Sequence, residues 1–279
     1  MKPKAPPAPA QDAEDRFLEE MNGELAGWSD PVPRLRQALE QDELQLFCQP
    51  ILLLRPPGGF PMAEVLVRLR EEEALMLPPG DFLPVFEHYR MMAEFDRWVL
   101  RNVLRWIARS PTAAIRRFSI NVSSQTLEEG KFHRFVAAEL LSSKVAPQAL
   151  TFEIDESDTL ARPDAAARFS LAVKRSGCRV MIDGFGRRSV SFAALKKLRA
   201  DFVKVDGAIV RALLRSEVAR QKLKAIVRVG ETLGLEVVAE CVEERDILAR
   251  LRDMHVGFAQ GFGIARPAPI DRPPAPPAP

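Results

Sequence analysis

Eight polar side chains stand within or beside runs that are otherwise apolar. Glu64 lies in AEVLVRL (63–69), Asn121 in FSINVS (118–123), and Glu153 in LTFEID (150–155) with Glu156 just beyond. Asp183 lies late in RVMIDGF (179–185), Lys204 in FVKVDG (202–207), Glu240 in EVVAECV (236–242) and Gln260 in VGFAQGF (256–262). A buried charge is costly unless it is paired or bound to a metal. One such acid is commonly a satisfied structural group, but four carboxylates, two amides and a lysine at equivalent places in successive runs are harder to dismiss. The acids and amides are hard oxygen donors, which suit Mg²⁺ or Mn²⁺. Three histidines and three widely spaced cysteines (Cys48, Cys178, Cys241) suggest neither a zinc cluster nor a disulfide framework.

The elements that must position these groups are strands alternating with helices. The runs above, with LQLFCQPILL (44–53), make eight candidate strands. Between them FDRWVLRNVLRWIA (95–108), AAARFSLAVKR (165–175) and RDILARLRDM (245–254) carry apolar residues near i, i+3, i+4 and i+7, the helical period. Strand–helix alternation implies parallel pairing. Eight such strands in ~250 residues is the size of a (β/α)₈ TIM barrel. In a parallel barrel, equivalent strand positions converge on one mouth, so the polar residues become a single site. One connection is too short for this scheme. Only Arg55–Phe60 and its flanks join the first two strands, whereas a parallel crossover needs about a dozen residues. The expected fold is therefore an α/β modified TIM barrel whose first strand pair is antiparallel.

The chain has 279 residues, 47% hydrophobic and 28% charged, enough for one barrel domain over 14–267. Eleven of its 23 prolines fall in residues 1–13 and 266–279, so 1–13 and 268–279 are expected to be disordered tails. Lys plus Arg number 40 against 38 acids, which leaves no basic field for nucleic acid. No apolar run reaches the ~20 residues of a membrane span, and the amino terminus lacks the apolar stretch of a signal peptide. A soluble, cytoplasmic protein is expected.

The strand-end residues also form a recognisable series. It runs Glu64-Val65-Leu66-Val67-Arg68, Asn121-Val122-Ser123, Glu153-Ile154-Asp155-Glu156-Ser157, Asp183-Gly184-Phe185-Gly186, Lys204-Val205-Asp206, Ala239-Glu240-Cys241-Val242-Glu243 and Gln260-Gly261-Phe262. In order and content it resembles the EAL family of cyclic di-GMP phosphodiesterases over nearly the whole folded body. The resemblance implies a two-metal hydrolase site. One ion would be held by Glu64, Asn121, Glu153 and Asp183, and a second would share Asp183 and take the residue after it. Lys204, Glu240 and Gln260 would orient the nucleophilic water, with Glu156 nearby. The ligand, cyclic di-GMP, would meet Gln49, Leu66, Arg68, Asp96, Glu243 and Phe262. Arg68 can fork onto a phosphate or serve as a surface ion-pair partner. Phe262 can face a guanine or belong to the core, and Asp96 can serve the ligand or a helix end.

The series departs from the family at one point. A second aspartate should follow Asp183, and Thr-Gly should follow Gly186, but Gly184, Arg187 and Arg188 stand there. Gly184 removes a carboxylate from the second metal, so at most one Mg²⁺ or Mn²⁺ should bind well. Val65 for alanine adds bulk beneath Glu64. The two arginines could reach the phosphates in place of the missing cation, but are read as a solvated loop. In the family this loop also lies at a dimer contact, implying a protein partner or homodimer. The favoured reading is a degenerate receptor that binds cyclic di-GMP with weak or absent hydrolysis. The alternative is an active phosphodiesterase producing linear pGpG. A pure protein-interaction module is disfavoured by the retention of Glu64, Arg68, Glu240 and Gln260. Glu156 or water could compensate for the lost ligand.

Overall fold

The computed structural model describes residues 31–41, 43–56, 58–70, 76–110, 115–187 and 192–275. The expected N-terminal tail and the expected start of the domain at residue 14 lie outside them. Helix α1 (Pro31–Glu40) leads into strands β1 (Leu44–Leu53), β2 (Met62–Arg70) and β3 (Met76–Leu77). Helices α2 (Pro79–His88) and α3 (Met92–Arg109) precede β4 (Arg117–Asn121), followed by α4 (Ser124–Glu129) and α5 (Phe132–Ser143). Strand β5 (Leu150–Asp155) leads to α6 (Glu156–Ala161) and α7 (Pro163–Arg175), and β6 (Arg179–Phe185) to α8 (Phe192–Leu198). Then come β7 (Phe202–Val205), α9 (Gly207–Arg211), α10 (Glu217–Leu233), β8 (Glu236–Ala239), α11 (Arg245–Asp253), β9 (Phe258–Ala259) and β10 (Ala268–Pro269).

Strands β2, β4, β5, β6, β7, β8 and β9 pair in that order, every pair parallel. Strand β1 closes the ring, antiparallel to β2 on one side and to β9 on the other. The barrel with an antiparallel first pair is the architecture expected from the sequence. Its cause is visible in the connection: Gly58 N donates to Arg55 O (2.9 Å) and Leu53 N to Gly59 O (3.0 Å), a tight reversal.

The alternation of strand side chains layers the barrel interior. Ile51, Met62, Met181, Phe202, Val238 and Phe258 form one closed apolar cluster. Two residues further along the parallel strands stand Glu64, Asp183, Lys204, Glu240 and Gln260. Strand β1 runs the other way, so its counterpart, Gln49, lies two residues before Ile51. Asn121 and Glu153 likewise follow the buried Ser119 and Thr151 by two. The apolar cluster thus floors a polar ring at the strand mouth. The opposite strand faces meet the helices. Val65, Val67 and Leu69 of β2 join a larger core with Phe95, Val99, Leu100 and Val103 of α3.

The C-terminal segment differs from expectation. Residues from 268 were expected to be unpacked, but Ala268 and Pro269 pair with Cys48 and Phe47 of β1. Ile270 is buried and its N–H donates to Leu46 O (3.0 Å). Trp106 Nε1 donates to Asp271 Oδ1 (2.6 Å). Proline is tolerated on a sheet edge because the missing N–H matters only in a strand interior, and one buried isoleucine anchors the segment. Among the described residues, no helix is long and apolar enough to cross a membrane.

Candidate functional site

The polar ring is organised around one ammonium group. Lys204, essentially unexposed, donates from Nζ to Glu64 Oε2 (3.0 Å) and to Glu153 Oε2, and stands 3.4 Å from Asp183 Oδ1. Gln260 Nε2 donates to Glu64 Oε2 (2.8 Å) and to Gln49 Oε1 (3.1 Å), and Asn121 Nδ2 donates to Glu64 Oε1 (3.0 Å). Gln49 in turn donates to Ala265 O (3.0 Å). Strand-end residues distant in sequence therefore share one hydrogen-bonded network.

One lysine cannot neutralise three carboxylates in a dry site. Burial, opposed by Lys204 and reinforced by Glu64 and Asp183, pushes Glu153 up to about 8. Glu64 is buried too, but Lys204 and the Gln260 and Asn121 amides outweigh that and hold its carboxyl below the ordinary value. Burial works against the charge on Lys204, yet the three carboxylates raise it well above an ordinary lysine. Glu240, raised by burial, accepts from Gly207 N (2.7 Å) through Oε1.

Buried Glu153 Oε1 lacks a hydrogen-bond partner among the described residues, and Asp183 Oδ1 has only its 3.4 Å ion pair with Lys204. Such an orphaned acceptor is what a metal or ordered water would satisfy. Among the described residues no three acid, imidazole or thiol groups stand ready-formed around an ion. The Lys204 ammonium lies in contact with Glu64, Glu153 and Asp183 instead.

Strand β6 slips register against β7 between Ile182 and Phe185, and Gly184 sits there at φ +63°. This is the bulge geometry that favours glycine. The bulge leaves Asp183 in the ring and turns the chain into the following loop. Arg187, expected in a solvated loop, is half-exposed but paired. Its Nε donates to Asp206 Oδ2 (2.8 Å) and its Nη1 to Asp155 Oδ2 (3.4 Å). The pairing has a simple cause: Asp155 ends β5 and Asp206 directly follows β7, the strands flanking β6, so the loop passes between two carboxylates. Arg188 lies outside the described residues. Glu156, buried at the start of α6, accepts from Gly186 N (3.2 Å), which places it against this loop.

Beside the ring lies a hollow of about 450 Å³, lined by Leu66, Leu83, Phe95, Asp96 and Asn121 among others. Asp96 is buried there and accepts from Ser123 N (3.0 Å) and Ser123 Oγ (2.8 Å). Burial, partly offset by those bonds, pushes its carboxyl up to about 6 from 3.8. Between those values the folded chain binds the extra proton, so stability through this group falls as pH rises from about 4 to about 6. Asp96→Asn is expected to lack that decline in urea midpoints measured across pH 4–7; parallel profiles would contradict it.

Arg68 lies with its guanidinium 5.4 Å over the Phe47 ring and donates to Val67 O (3.0 Å). No carboxylate among the described residues pairs with it. Phe262 is 55% exposed, 5.0 Å from the Arg266 guanidinium, so it is not core. A Cβ on Gly261 would lie 2.2 Å from Val242 backbone atoms, so only glycine lets the loop bearing Phe262 pack against the one bearing exposed Glu243. A larger hollow, about 610 Å³, opens beside Arg55 and Glu236 and is lined by none of the ring residues.

The EAL domain family model matches residues 33–267. The chain belongs to the EAL domain family. Among curated relatives, it is 30% identical over 238 residues to the cyclic di-GMP phosphodiesterase PdeB of Shewanella oneidensis, covering 85% of this chain and 28% of that protein. It is also 30% identical to the cyclic di-GMP phosphodiesterase PdeF of Escherichia coli, covering 85% and 32%. The chain thus spans about a third of the length of these relatives. The PaMucR phosphodiesterase in its c-di-GMP complex superposes with TM-score 0.79 at 29% identity, covering 86% of this chain and 98% of that one. The FimX EAL domain from Pseudomonas aeruginosa bound to c-di-GMP gives TM-score 0.79 at 26% identity, covering 86% and 97%.

Proposed function

We propose that the strand mouth binds cyclic di-GMP and hydrolyses it slowly or not at all. The observation that carries this reading is the side-chain-free Gly184 beside an otherwise complete ring of donors. Glu64, Asn121, Glu153 and Asp183 would hold one Mg²⁺ or Mn²⁺, a fit supported by their hard oxygens and by the orphaned Oε1 of Glu153. Such an ion supplies a hydroxide near neutral pH and charge neutralisation at a phosphodiester. A second ion finds no side-chain donor at position 184.

The chain's own groups then divide the work. Lys204 and Gln260, which both donate to Glu64, would orient the nucleophilic water beside it. Glu240, its carboxyl raised by burial, is suited to take a proton from the attacking water. Glu156 positions the loop after Asp183 through Gly186. Recognition falls to Arg68 for phosphate, to Phe262 for a guanine face, to Leu66 and Asp96 in the lateral hollow, to Gln49 within the ring and to Glu243 at the rim. The complexes of the MucR phosphodiesterase and the FimX domain support binding. The names of the curated relatives favour the alternative, a working phosphodiesterase that opens the ring to pGpG. A receptor would pass its signal to a protein partner or second copy, with the loop after Asp183 as the contact.

Calorimetric titration with cyclic di-GMP in Ca²⁺, alongside chromatography of products in Mg²⁺ and Mn²⁺, separates these readings, with Glu64→Ala as the blank. Tight binding without turnover is expected. Arg68→Ala should weaken binding by ~1.5–3 kcal/mol, the worth of a hydrogen bond to a charged group. Unchanged affinity would remove Arg68 from the site.

A further inference from the structure

We propose that the Arg187 guanidinium is a built-in cation that takes a phosphate oxygen of the bound cyclic dinucleotide, so that this edge of the mouth needs no divalent ion. The proposal rests on the cyclic di-GMP reading above and adds to it the identity of the charge that replaces the missing site. A Cβ on Gly184 would stand 2.7 Å from Arg187 Nη2 and 3.1 Å from its Cζ. The guanidinium thus occupies the space that a side chain at position 184 would enter. A side chain at residue 184 and the guanidinium would compete for the same space, so the arginine takes this position without displacement because residue 184 is glycine.

The fork is also held in place. Asp155 and Asp206 each use one oxygen to cap a helix, Asp155 Oδ1 accepting from Ser157 N (2.7 Å) and Asp206 Oδ1 from Ala208 N (2.9 Å). Their second oxygens take Arg187 Nη1 and Nε. Both carboxylates are therefore oriented by the backbone before they meet the arginine, and Nη2 is left over Gly184. Asp183 adds to the attraction on the same group. The Arg187 side chain remains 54% exposed, whereas Lys204 is 2% exposed and directed at three carboxylates. A dianionic ligand entering an acid-rich mouth requires an accessible positive charge, and a planar fork suits a phosphate.

The test is calorimetric titration of the full chain with cyclic di-GMP in EDTA and again in Ca²⁺, for wild type, Arg187→Ala and Arg187→Gln. Wild type is expected to bind in EDTA within about threefold of its affinity in Ca²⁺, and both variants to bind about tenfold or more weakly in EDTA. Circular dichroism melts confirm that the variants are folded, and Arg187→Gln keeps the side-chain bulk if Arg187→Ala does not fold. Variants that match wild type in EDTA overturn the proposal, as does a wild type that binds only with Ca²⁺. In both cases the cyclic di-GMP reading stands. If wild type binds under neither condition, that reading falls and this one with it.

Discussion

Gly184→Asp combined with Arg187→Thr is expected to raise hydrolysis of cyclic di-GMP by about 100-fold over wild type, the usual weight of one lost charge-stabilising group in a hydrolytic site. Gly184→Asp alone should do much less, for two structural reasons. The residue sits at φ +63°, which strains any side chain, although aspartate tolerates it better than most. Its new Cβ would also stand 2.7 Å from Arg187 Nη2, so the restored carboxylate would pair with the guanidinium and not with an ion. Arg187→Thr alone removes that competitor but supplies no donor. The two changes are therefore non-additive, as expected for neighbours serving one site. Replacing Arg188 by glycine would complete the family's loop sequence. Product release followed by chromatography in Mn²⁺ decides the matter. Wild-type turnover on the order of 1 s⁻¹ or more, a rate usual for enzymes, would overturn the receptor reading.

The legible and illegible parts of this molecule divide along a physical line. Glu64, Asp183, Lys204, Glu240 and Gln260 could be read as one site because parallel strands carry equivalent positions to one mouth. Their place above an apolar floor follows from a two-residue step along each strand. The antiparallel pairing of β1 with β2 was legible from chain length alone, since a short connection leaves no alternative. The Arg187 pairing was not legible, because its partners Asp206 and Asp155 lie 19 and 32 residues away and each also looks like an ordinary helix cap. A signal existed: both aspartates stand at the ends of strands flanking the one that carries Gly184, Asp155 as the last residue and Asp206 just beyond. The docking of residues 268–271 was hidden by proline-rich composition, which describes average behaviour and not the single isoleucine that anchors the segment. Phe262 could not be separated from a core residue by pattern, because exposure is set by which loops pack together.

Lys204→Met is expected to have the largest effect on stability, because it leaves Glu64, Glu153 and Asp183 around a missing charge. Glu153 is fully buried, while Glu64 and Asp183 retain 14% and 22% side-chain exposure, so water relieves only part of the repulsion. Breaking a buried ion pair from one side costs about 3–5 kcal/mol, and a loss of that order is expected at pH 8 without metal. The sign of the pH dependence follows from the same charges. Without the ammonium the buried Glu153 carboxyl is raised further, and Glu64 loses the charge that offsets its burial. The folded state then holds more protons, and the variant should recover stability as pH falls toward 5 and lose it as pH rises. A divalent ion can take the vacated position among the hard oxygens, so Mn²⁺ should raise the midpoint of the variant more than that of wild type. Urea denaturation at pH 5 and pH 8, with and without Mn²⁺, measures both effects. A variant as stable as wild type at pH 8 without metal would show that the lysine does not neutralise the ring. A variant that Mn²⁺ fails to stabilise would show instead that these oxygens do not form a cation site.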